Sequence, residues 1–469
     1  MNKLASICVA MIWTVSFAAA GPPDSPVVDT GQIRCYADGN EIAYPKSSDA
    51  YFGQDAQYQG DAPKYKNNGD GTVTDLVTGL IWQKTPDFVK RTHDEAKKYA
   101  DGLKLAGRSD WRVPTIKELF SLADFRGNMR TRTPYIDTKA FDFKYPGGSR
   151  GESGRPGQRD MDGQYRSSTR YVGTTMRRDE SVFGFNFADG RIKSYPLRAA
   201  QYVRCVRGRK GYGQGENRFK DNSDGTITDR ATGLIWQRAD SVKTMNWKQA
   251  LAYAEGLKLA GRDDWRLPNV KELQTIVDYR WAPDATDAKK RRAAIYPIFK
   301  LTNVESWFWT GTTHIENGYG YYVCFGQGFS AWKFRGKKMN AHGAGAVRSD
   351  PKSGDPKQWS DGHGPQGDEI RIYNYVRCVR GGVAKARTEG PAVKSGGNRR
   401  PPRADGGGRG TDRFVGRLDK NGDGKVSKKE FDGPDHHFDR LDRNNDGYLS
   451  ADEAPSGPPP RRPRRPGRT

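Results

Sequence analysis

The chain repeats one segment of its own sequence, and this duplication limits what it can fold into more than any other feature. Residues 65–126 align without gaps to residues 219–280, with about half of the positions identical. The most similar part reads LAGRSDWRVPTIKEL from Leu105 and LAGRDDWRLPNVKEL from Leu259. Solenoid repeats span roughly 20–50 residues, whereas the shift here is of domain length. The duplication therefore predicts a tandem pair of globular domains.

Each copy begins with the same predicted β-hairpin. Asp-Gly pairs at 70–71 and 224–225 separate segments in which apolar and polar residues alternate, a pattern that predicts two strands and a tight turn. A calcium-binding loop at the first pair would place Lys66 and Val77 at its first and twelfth positions. Neither side chain is a calcium ligand, so a turn is favoured over a metal site.

Two amphipathic helices are predicted next in each copy. Both carry a capping box, in which the residue before the helix and a Glu or Gln three positions later satisfy each other's backbone N–H groups. The boxes are Thr92 with Glu95, Thr115 with Glu118, Asn246 with Gln249, and Asn269 with Glu272. A capping role explains Glu118 and Glu272 without any ligand. Trp111 and Trp265 are predicted to fill the core, so the duplicated stretch is interpreted as scaffold and not as a duplicated active site.

The composition favours an anionic partner. The 469 residues carry a formal net charge of +23, and the sequence pI is about 9.7. Hydrophobic residues make up 34% and aromatic residues 11%, which suits aromatic-rich β domains and also leaves room for disordered segments. The positive charge points to acidic glycans, lipid head groups or nucleic acid as partners.

Residues 1–20 have the pattern of a secretory signal peptide. Lys3 precedes an apolar run from Leu4 to Phe17, and the small residues that follow predict cleavage after Ala20. A buried N-terminal helix is the alternative interpretation. Export makes a specific nucleic-acid partner unexpected and predicts a periplasmic, cell-surface or extracellular location. No other segment is apolar enough to predict a membrane span.

Four cysteines remain once the predicted signal peptide is set aside: Cys35, Cys205, Cys324 and Cys378. Four cysteines allow three pairings, and the sequence does not choose among them. Bridges kept within each domain would be Cys35–Cys205 and Cys324–Cys378, and the alternative is that some thiols stay free and buried. A catalytic thiol is not predicted, because no histidine lies near the cysteines in both copies.

Several motifs together resemble the Lcl C-terminal domain family. These are TVTDLVTGLIWQ, AGRSDWRVPTIKEL and YVRCVRG with their second copies, and the resemblance covers roughly residues 60–208 and 215–381. The family is named for the C-terminal domain of a bacterial collagen-like adhesin, which binds sulfated glycosaminoglycans. The resemblance implies an α+β fold related to the C-type lectin-like fold, and extracellular binding. This chain departs from the adhesin in having two copies and no collagen-like repeat, so trimer formation does not carry over.

Copy two contains a long polar stretch, residues 336–369, before its last strand. In C-type lectin-like folds such a loop commonly carries ligand or calcium, so the resemblance makes it the candidate ligand site; a solvated loop held by turns is the alternative. Nearby aromatic rings can stack on sugars, and Lys333, Arg335, Lys337 and Lys338 can pair with sulfate or carboxylate groups. The predicted ligand-binding residues are Trp307, Trp309, Trp332, His342, Arg348, Asp350 and His363.

The most specific chemical motif lies near the C-terminus. DKNGDGKVSKKE from Asp419 and DRNNDGYLSADE from Asp442 both have Asp or Asn at positions 1, 3 and 5, Gly at 6 and Glu at 12. Calcium takes about six to eight oxygen ligands, the glycine permits the sharp turn, and the last Glu binds through both oxygens. Both loops match the EF-hand family, which makes calcium the predicted cofactor. The predicted ligands are Asp419, Asn421, Asp423, Lys425, Ser427, Glu430, Asp442, Asn444, Asp446, Tyr448, Ser450 and Glu453.

Two details of this pair follow from the EF-hand pattern. Lys425 and Tyr448 would bind through their backbone carbonyls, and Val426 would pair with Leu449 in the short ladder that joins the loops. A module this small buries little apolar area, so calcium is expected to supply much of its folding free energy.

The predicted fold class is α+β, with two tandem C-type lectin-like domains followed by a small all-α EF-hand pair on a disordered linker. The predicted boundaries are a signal peptide at 1–20, an N-terminal extension at 21–60, lectin-like domains at 61–208 and 215–381, a flexible basic linker at 382–410, the EF-hand pair at 411–455, and a disordered basic tail at 456–469.

The predicted function is that of an exported calcium-binding protein that acts in adhesion or surface interaction through acidic or sulfated glycans. One alternative is a structural protein of the cell envelope that binds other proteins. A second is an enzyme that acts on an extracellular polymer. Catalysis is not predicted, because no pair of carboxylates and no nucleophile–base pair recurs in both copies. The oligomeric state is not predicted.

Overall fold

The structure is a computed structural model that describes residues 24–146, 159–213, 215, 218–316, 318–364, 366–383, 386–393, 418–419, 425–433, 435–442 and 447–449. The predicted signal peptide and basic tail, and most of the predicted linker, lie outside these residues. The chain divides into two units, residues 1–396 and 397–469, and each is described by itself.

The described residues are mostly β-sheet with few helices, in keeping with a largely β tandem arrangement. The helices are α1 (His93–Gly102), α2 (Ile116–Ser121), α3 (Trp247–Glu255), α4 (Val270–Thr275) and α5 (Asp435–Leu441). The strands are β1 (Cys35–Tyr36), β2 (Glu41–Ile42), β3 (Tyr65–Asn67), β4 (Thr72–Asp75), β5 (Ile81–Gln83), β6 (Gln164–Arg170), β7 (Ser181–Asn186), β8 (Arg191–Pro196), β9 (Val206–Arg207), β10 (Phe219–Asp221), β11 (Thr226–Asp229), β12 (Ile235–Gln237), β13 (Trp307–His314), β14 (Tyr319–Cys324), β15 (Phe329–Phe334), β16 (Lys337–Asn340), β17 (Val347–Asp350), β18 (Val379–Arg380), β19 (Val426–Ser427) and β20 (Tyr448–Leu449).

Each copy, called repeat 1 (residues 65–207) and repeat 2 (residues 219–380) below, has its own antiparallel four-stranded sheet. The strand orders are β3-β4-β5-β9 and β10-β11-β12-β18. The predicted hairpins at the Asp-Gly pairs are confirmed: the N–H of Thr72 donates to Asp70 Oδ1, and that of Thr226 to Asp224 Oδ1, both at 3.0 Å. These bonds fix each turn by the aspartate side chain, as the sequence pattern predicts.

The predicted capping boxes are also confirmed. At α2, the N–H of Thr115 donates to Glu118 Oε2 at 2.8 Å and the N–H of Glu118 donates back to Thr115 Oγ1 at 3.2 Å. At α4, Asn269 and Glu272 exchange the same two bonds at 2.8 and 2.9 Å. Both helices are six residues long and buried throughout, so the boxes satisfy N–H groups that have no water to bind.

The charged residues of the duplicated stretch pair with one another inside each repeat. Arg207 binds Asp110 and Arg380 binds Asp264 through two nitrogens each, at 2.7–3.1 Å. Glu272, besides capping α4, accepts two bonds from Arg266 at 2.6 and 2.7 Å. These structural partners support the interpretation of the repeated motif as scaffold.

The tryptophans of this stretch are buried, as predicted. The indole N–H of Trp111 donates to the carbonyl of Leu105 at 3.3 Å, and that of Trp265 donates to Leu259 at 3.2 Å. Each ring therefore fills the core with its one polar atom satisfied.

A third sheet is shared by the two repeats, which the sequence analysis does not predict. Its six strands run in the order β13-β14-β17-β8-β7-β6, three from repeat 2 and three from repeat 1. The halves meet where Val347 of β17 pairs antiparallel with Ile192 of β8. The two copies are therefore joined through one continuous sheet, and the boundaries given above for two domains stay a prediction.

Helices α2 and α4 form the second contact between the repeats, and it is reciprocal. Lys117 Nζ of α2 donates to the carbonyl of Thr275 at the end of α4, at 2.8 Å. Lys271 Nζ of α4 donates to the carbonyl of Ser121 at the end of α2, at 3.0 Å. Burial lowers the pKa of Lys271 to about 8. The lysine that the motif repeats is thus a contact between the copies.

The long polar stretch of repeat 2 is not a single loop. Strand β17 lies within residues 336–369 and belongs to the shared sheet, so the extra residues of repeat 2 fall on both sides of it. Before β17, strands β15 and β16 form a two-stranded hairpin. The strands of repeat 1 that are equivalent to β14 and β17 are β7 and β8, and residues 187–190 alone join them.

Neither predicted disulfide is formed: Cys35, Cys205, Cys324 and Cys378 are described, free and buried. Cys205 packs in the cluster around α1, whereas Cys324 and Cys378 belong to the cluster around α3. Burial raises the pKa of Cys35, Cys205 and Cys324 to about 12. The thiols act as small apolar side chains, which is the alternative that the sequence analysis left open.

The C-terminal unit has a small core of its own. Val426 of β19 pairs with Leu449 of β20, as the motif predicts. Both side chains are buried with Leu418 and Phe438, and Phe431 and Leu441 pack against them. Among the described residues of the whole chain, no helix has the length and apolar character that a membrane span requires.

Candidate functional site

Four of the seven side chains predicted to bind ligand lie in the interior: Trp309, His342, Arg348 and Asp350. Trp309 packs in the cluster around α3, and its indole N–H donates to the carbonyl of Met245 at 2.9 Å. Its ring is 0% exposed, so it offers no face for a sugar to stack on. The three polar residues of this group form a network beside the shared sheet.

His342 and Arg348 converge on Asp368. His342 Nε2 lies 2.5 Å from Asp368 Oδ1, and Arg348 binds the other carboxylate oxygen. Burial lowers the pKa of His342 to about 4, although Asp368 opposes this shift. Burial acts against the charged form of Asp368 too, but Arg348 and His342 together hold its pKa well below the usual range. The arrangement is an internal ion pair with a neutral histidine, which suits a structural tie.

Asp350 completes this network from β17. Burial raises its pKa to about 7, with Arg348 opposing the rise, and its carboxylate accepts the backbone N–H of Arg371 at 2.8 Å. Arg371 also covers Trp307, since its guanidinium lies 3.1 Å from the ring centroid. The indole N–H of Trp307 donates to the carbonyl of Gln327 at 2.9 Å. Trp307 is therefore half-buried, with one face already occupied.

The exposed part of the predicted site is the β15–β16 hairpin, called the basic hairpin below. Trp332 is 49% exposed. The cations around it are exposed as well, and they are Lys333, Arg335, Lys337 and Lys338. An indole among several cations can stack on a sugar ring while the cations pair with sulfate or carboxylate groups.

The basic hairpin is held in place along one side. Ser330 Oγ donates to the carbonyl of Gln366 at 2.7 Å, and Lys338 Nζ donates to Glu369 at 2.9 Å. Trp332 lies against Gly367, where an added Cβ would come within 2.5 Å of the ring and where φ is +59°. Only glycine fits this position without displacing the tryptophan. His363 pairs with Asp368 through its backbone, beside the base of the hairpin.

The described parts of the predicted calcium motif contain side-chain hydrogen bonds in both loops. In the second loop, the N–H of Gly447 at position 6 donates to Asp442 Oδ2 at position 1, at 3.0 Å, and φ of Gly447 is +80°. In the first loop, Glu430 at position 12 accepts the N–H and the hydroxyl of Ser427 at 2.9 and 2.7 Å. Carboxylate, hydroxyl and backbone carbonyl oxygens are the ligands that calcium takes, so the chemical types of these residues are compatible with calcium.

The remaining predicted calcium ligands divide between the described and the undescribed parts of the chain. Asp419, Lys425 and Tyr448 are described, whereas Asn421, Asp423, Asn444, Asp446, Ser450 and Glu453 lie outside the described residues. Among the residues that are described, no group of three or more His, Cys, Asp or Glu side chains is placed to hold a metal ion.

The sequence analysis missed Asp368 as the centre of the internal network. Its partners lie 20 and 26 positions away, and no local spacing links three such residues. A long polar stretch with both His and Arg was the only signal, and it did not tell an internal ion pair from a ligand site.

Comparison with known protein families identifies a match. The model of the Lcl C-terminal domain matches residues 71–207 and 225–348, which together make up more than half of the chain. The two matched segments correspond to the two repeats. No curated protein matches the chain.

Proposed function

The chain belongs to the Lcl C-terminal domain family, and from this membership we propose an exported adhesion or surface-interaction protein that binds acidic or sulfated glycans through the basic hairpin. The observation that carries the proposal is the exposed indole of Trp332 among Lys333, Arg335, Lys337 and Lys338. We propose a C-type lectin-like fold for each repeat and binding without catalysis.

The chemistry of the basic hairpin suits a sulfated or uronic-acid polymer. Ammonium and guanidinium groups make charge-assisted hydrogen bonds to sulfate and carboxylate oxygens. The exposed ring of Trp332 adds an apolar face beside them. Salt screens the long-range attraction between exposed charges. Glycan binding at a specific site therefore differs from attraction by the net charge in that it persists at about 0.15 M salt.

The test is heparin binding by the full chain at physiological salt, compared with a double variant, Lys333→Glu with Lys337→Glu. Both lysines are exposed, so the variant is expected to fold and to bind heparin at least tenfold more weakly. The matched control is Lys97→Glu with Lys98→Glu on α1, where the lysines are equally exposed but lie in repeat 1. The control is expected to stay within twofold of the original chain.

Equal weakening by both double variants would assign heparin binding to the net charge of +23 and would overturn the proposal. Binding that disappears between low and physiological salt would do the same. A chain that binds no acidic glycan would favour the alternative of a structural envelope protein.

The C-terminal unit is proposed to be an EF-hand pair that binds calcium. Its support is the hydrogen bond of Gly447 with Asp442, that of Ser427 with Glu430, and the Val426–Leu449 pairing. When bound, calcium would supply positive charge to the predicted ligand carboxylates, and so would stabilise a unit with a small core. An exported module of this kind typically has a dissociation constant of about 10⁻⁴–10⁻³ M.

Calcium binding is tested by titration calorimetry of the full chain, with Glu430→Gln as the variant. Loss of one bidentate carboxylate is expected to weaken the first loop at least tenfold. Asp439→Asn is the control, because Asp439 lies on α5, outside both loops, and pairs with Lys428. An unchanged titration for Glu430→Gln would contradict the calcium assignment.

A further inference from the structure

Arg166 of strand β6 differs from the other buried arginines of the chain in its partners. Six arginines are buried among the described residues: Arg166, Arg204, Arg218, Arg266, Arg348 and Arg377. Arg218, Arg266 and Arg348 each pair with a carboxylate. Arg204 and Arg377 each donate to three backbone carbonyls. Of these six, Arg166 alone has neither arrangement within the part of the chain that the structure describes.

The guanidinium of Arg166 donates one hydrogen bond, from Nη2 to the carbonyl of Ala199. Its Nε and Nη1 atoms are buried and have no hydrogen-bond partner among the described residues. The residue is 0% exposed, and burial lowers its pKa to about 10. Burying a cation is strongly unfavourable unless an opposite charge or further acceptors accompany it. The surroundings of Arg166 therefore suit a negatively charged group that the protein itself does not supply.

Two more side chains beside Arg166 have buried polar atoms without a partner. Arg166 lies directly opposite Gly184 of β7, so the two positions face the same side of the sheet. The amide of Gln201 lies over Gly184, where an added Cβ would come within 3.4 Å of its Nε2. Neither Nε2 nor Oε1 of Gln201 has a hydrogen-bond partner among the described residues, and the same is true of Nδ1 of His93 at the start of α1. His93 lies close enough for the charge of Arg166 to add to burial in lowering its pKa.

The position of Arg166 in repeat 1 corresponds to that of Trp309 in repeat 2. The N–H of Arg166 donates to the carbonyl of Tyr202 at 2.9 Å, and the N–H of Trp309 donates to the carbonyl of Tyr375 at 3.0 Å. Each acceptor lies three residues before the cysteine of its YVRCVRG motif. The two side chains therefore start from equivalent places in the two repeats.

Repeat 2 fills this place with large aromatic rings, whereas repeat 1 does not. Tyr322 lies opposite Trp309 on the neighbouring strand, and Gly184 stands opposite the arginine in repeat 1. Trp247 of α3 aligns with His93 in the duplicated sequence. Two tryptophans and a tyrosine are thus replaced by an arginine, a histidine and a glycine. The smaller and more polar set leaves room for an ion that the aromatic set of repeat 2 would exclude.

We propose that repeat 1 binds a small monovalent inorganic anion, such as chloride, between Arg166, Gln201 and His93. A monovalent ion balances the single charge of one guanidinium. The N–H groups of a guanidinium and of an amide are donors to anions, and the bonds to the guanidinium are charge-assisted. A small ion is required because Arg166 is 0% exposed, so no part of a polymer reaches it. The basic hairpin belongs to repeat 2, so this anion site is separate from the proposed glycan site.

The test is scanning calorimetry of the full chain in about 0.15 M sodium chloride and in the same concentration of sodium gluconate, whose anion is much larger. A bound chloride is expected to raise Tm by about 3 °C over gluconate. Arg166→Met should remove this difference. Arg198→Met is the control, because it removes an arginine whose side chain is 75% exposed, and it should keep the difference. Equal Tm values of the original chain in both salts would overturn the proposal, as would a difference that persists in Arg166→Met.

Bromide locates the anion without any variant. Crystals of the full chain soaked in sodium bromide are expected to give an anomalous difference peak within hydrogen-bonding distance of the Arg166 guanidinium and the Gln201 amide. Peaks confined to exposed cations, such as those of the basic hairpin, would contradict the proposal. Electron density of a water molecule beside Arg166, with no anomalous signal, would do the same.

A larger oxyanion would give a different result. Stabilisation by sodium sulfate at matched ionic strength that Arg166→Met removes, without any stabilisation by chloride, would assign the site to a divalent oxyanion and overturn the proposal. Heparin binding through the basic hairpin is expected to stay within twofold in Arg166→Met, so the two proposals are tested separately.

Discussion

Repeat 1 joins β7 to β8 through four residues, 187–190, whereas repeat 2 places the basic hairpin between the equivalent strands β14 and β17. The N-terminal segment, residues 24–61, covers the strand end of repeat 2 at Thr312 and Thr313. The residues that the copies share build caps, ion pairs and the contact between the repeats. The comparison shows that the residues shared by the two copies stabilise the fold, and that the candidate binding site lies where the copies differ.

The largest expected effect on stability concerns the two buried tryptophans of the duplicated stretch. Trp265→Ala and Trp111→Ala should each lower the free energy of unfolding by about 3–5 kcal/mol, because each leaves a large cavity in the core. Since the repeats share a sheet, either variant should shift one common transition in scanning calorimetry. Separate transitions, with one variant moving each, would show that the repeats unfold independently.

A smaller effect on stability is expected at two equivalent glutamates, and its size should differ between them. Glu272 pairs with Arg266, whose side chain is 3% exposed, whereas Glu118 pairs with Arg112, which is 19% exposed. Breaking a fully buried pair costs about 3–5 kcal/mol, and water compensates part of the loss at the exposed pair. Glu272→Gln should therefore destabilise the protein by roughly 3 kcal/mol and Glu118→Gln by roughly half as much. Urea denaturation measures both, and equal losses would mean that the two repeats are equally closed to water.

The N-terminal segment should make stability depend on pH through Asp55. Burial raises the pKa of Asp55 from 3.8 to about 8, and the neighbouring Asp29 and Glu272 add to the rise. Between these values the folded state keeps a proton that the unfolded state loses. Below about pH 4 this group contributes its full stabilisation to the folded state. The stabilisation falls as pH rises from about 4 to about 8, by at most about 1.4 kcal/mol per pH unit, and stays constant at higher pH.

Asp55→Asn should remove this contribution. The difference in urea midpoint between the original chain and the variant should favour the original chain more at pH 5.5 than at pH 8.5. Asp49→Asn is the control in the same segment, because Asp49 is exposed. A difference that stays constant across this range would mean that Asp55 is ionised in the folded protein.

The smallest effect on stability is expected at Trp332, which only repeat 2 has. Its ring is 49% exposed, so Trp332→Ala should change the free energy of unfolding by less than about 0.5 kcal/mol. Heparin affinity should nevertheless fall severalfold, because the stacking face is lost. A large loss of stability without loss of heparin binding would show that Trp332 stabilises the fold and does not bind the glycan.

The features predictable from sequence were those set by short-range chemistry. An Asp-Gly pair or a capping box involves residues two or three positions apart, so the roles of Asp70 and Glu118 follow from the amino-acid sequence alone. The pairing of Val426 with Leu449 was equally accessible, because the EF-hand spacing fixes it.

The features that were missed depend on contacts between distant residues. Residues 347–350 were interpreted as part of a long polar loop, and nothing local in their sequence reveals that Val347 pairs with Ile192 of the other copy. His342 and Arg348 have the residue types of a ligand site, yet their carboxylate partner Asp368 places them in the interior.

The reciprocal contact of Lys117 and Lys271 gives the unit the geometry of a homodimer contained in one polypeptide. The linker between the halves replaces bimolecular association with a fixed effective concentration, so their pairing does not depend on the amount of protein present. In a homodimer every substitution occurs in both subunits. Here a substitution occurs in one half only, so the sequences of the two halves can diverge. An asymmetric molecule, with a basic hairpin in one half only, can therefore evolve from a symmetric pair.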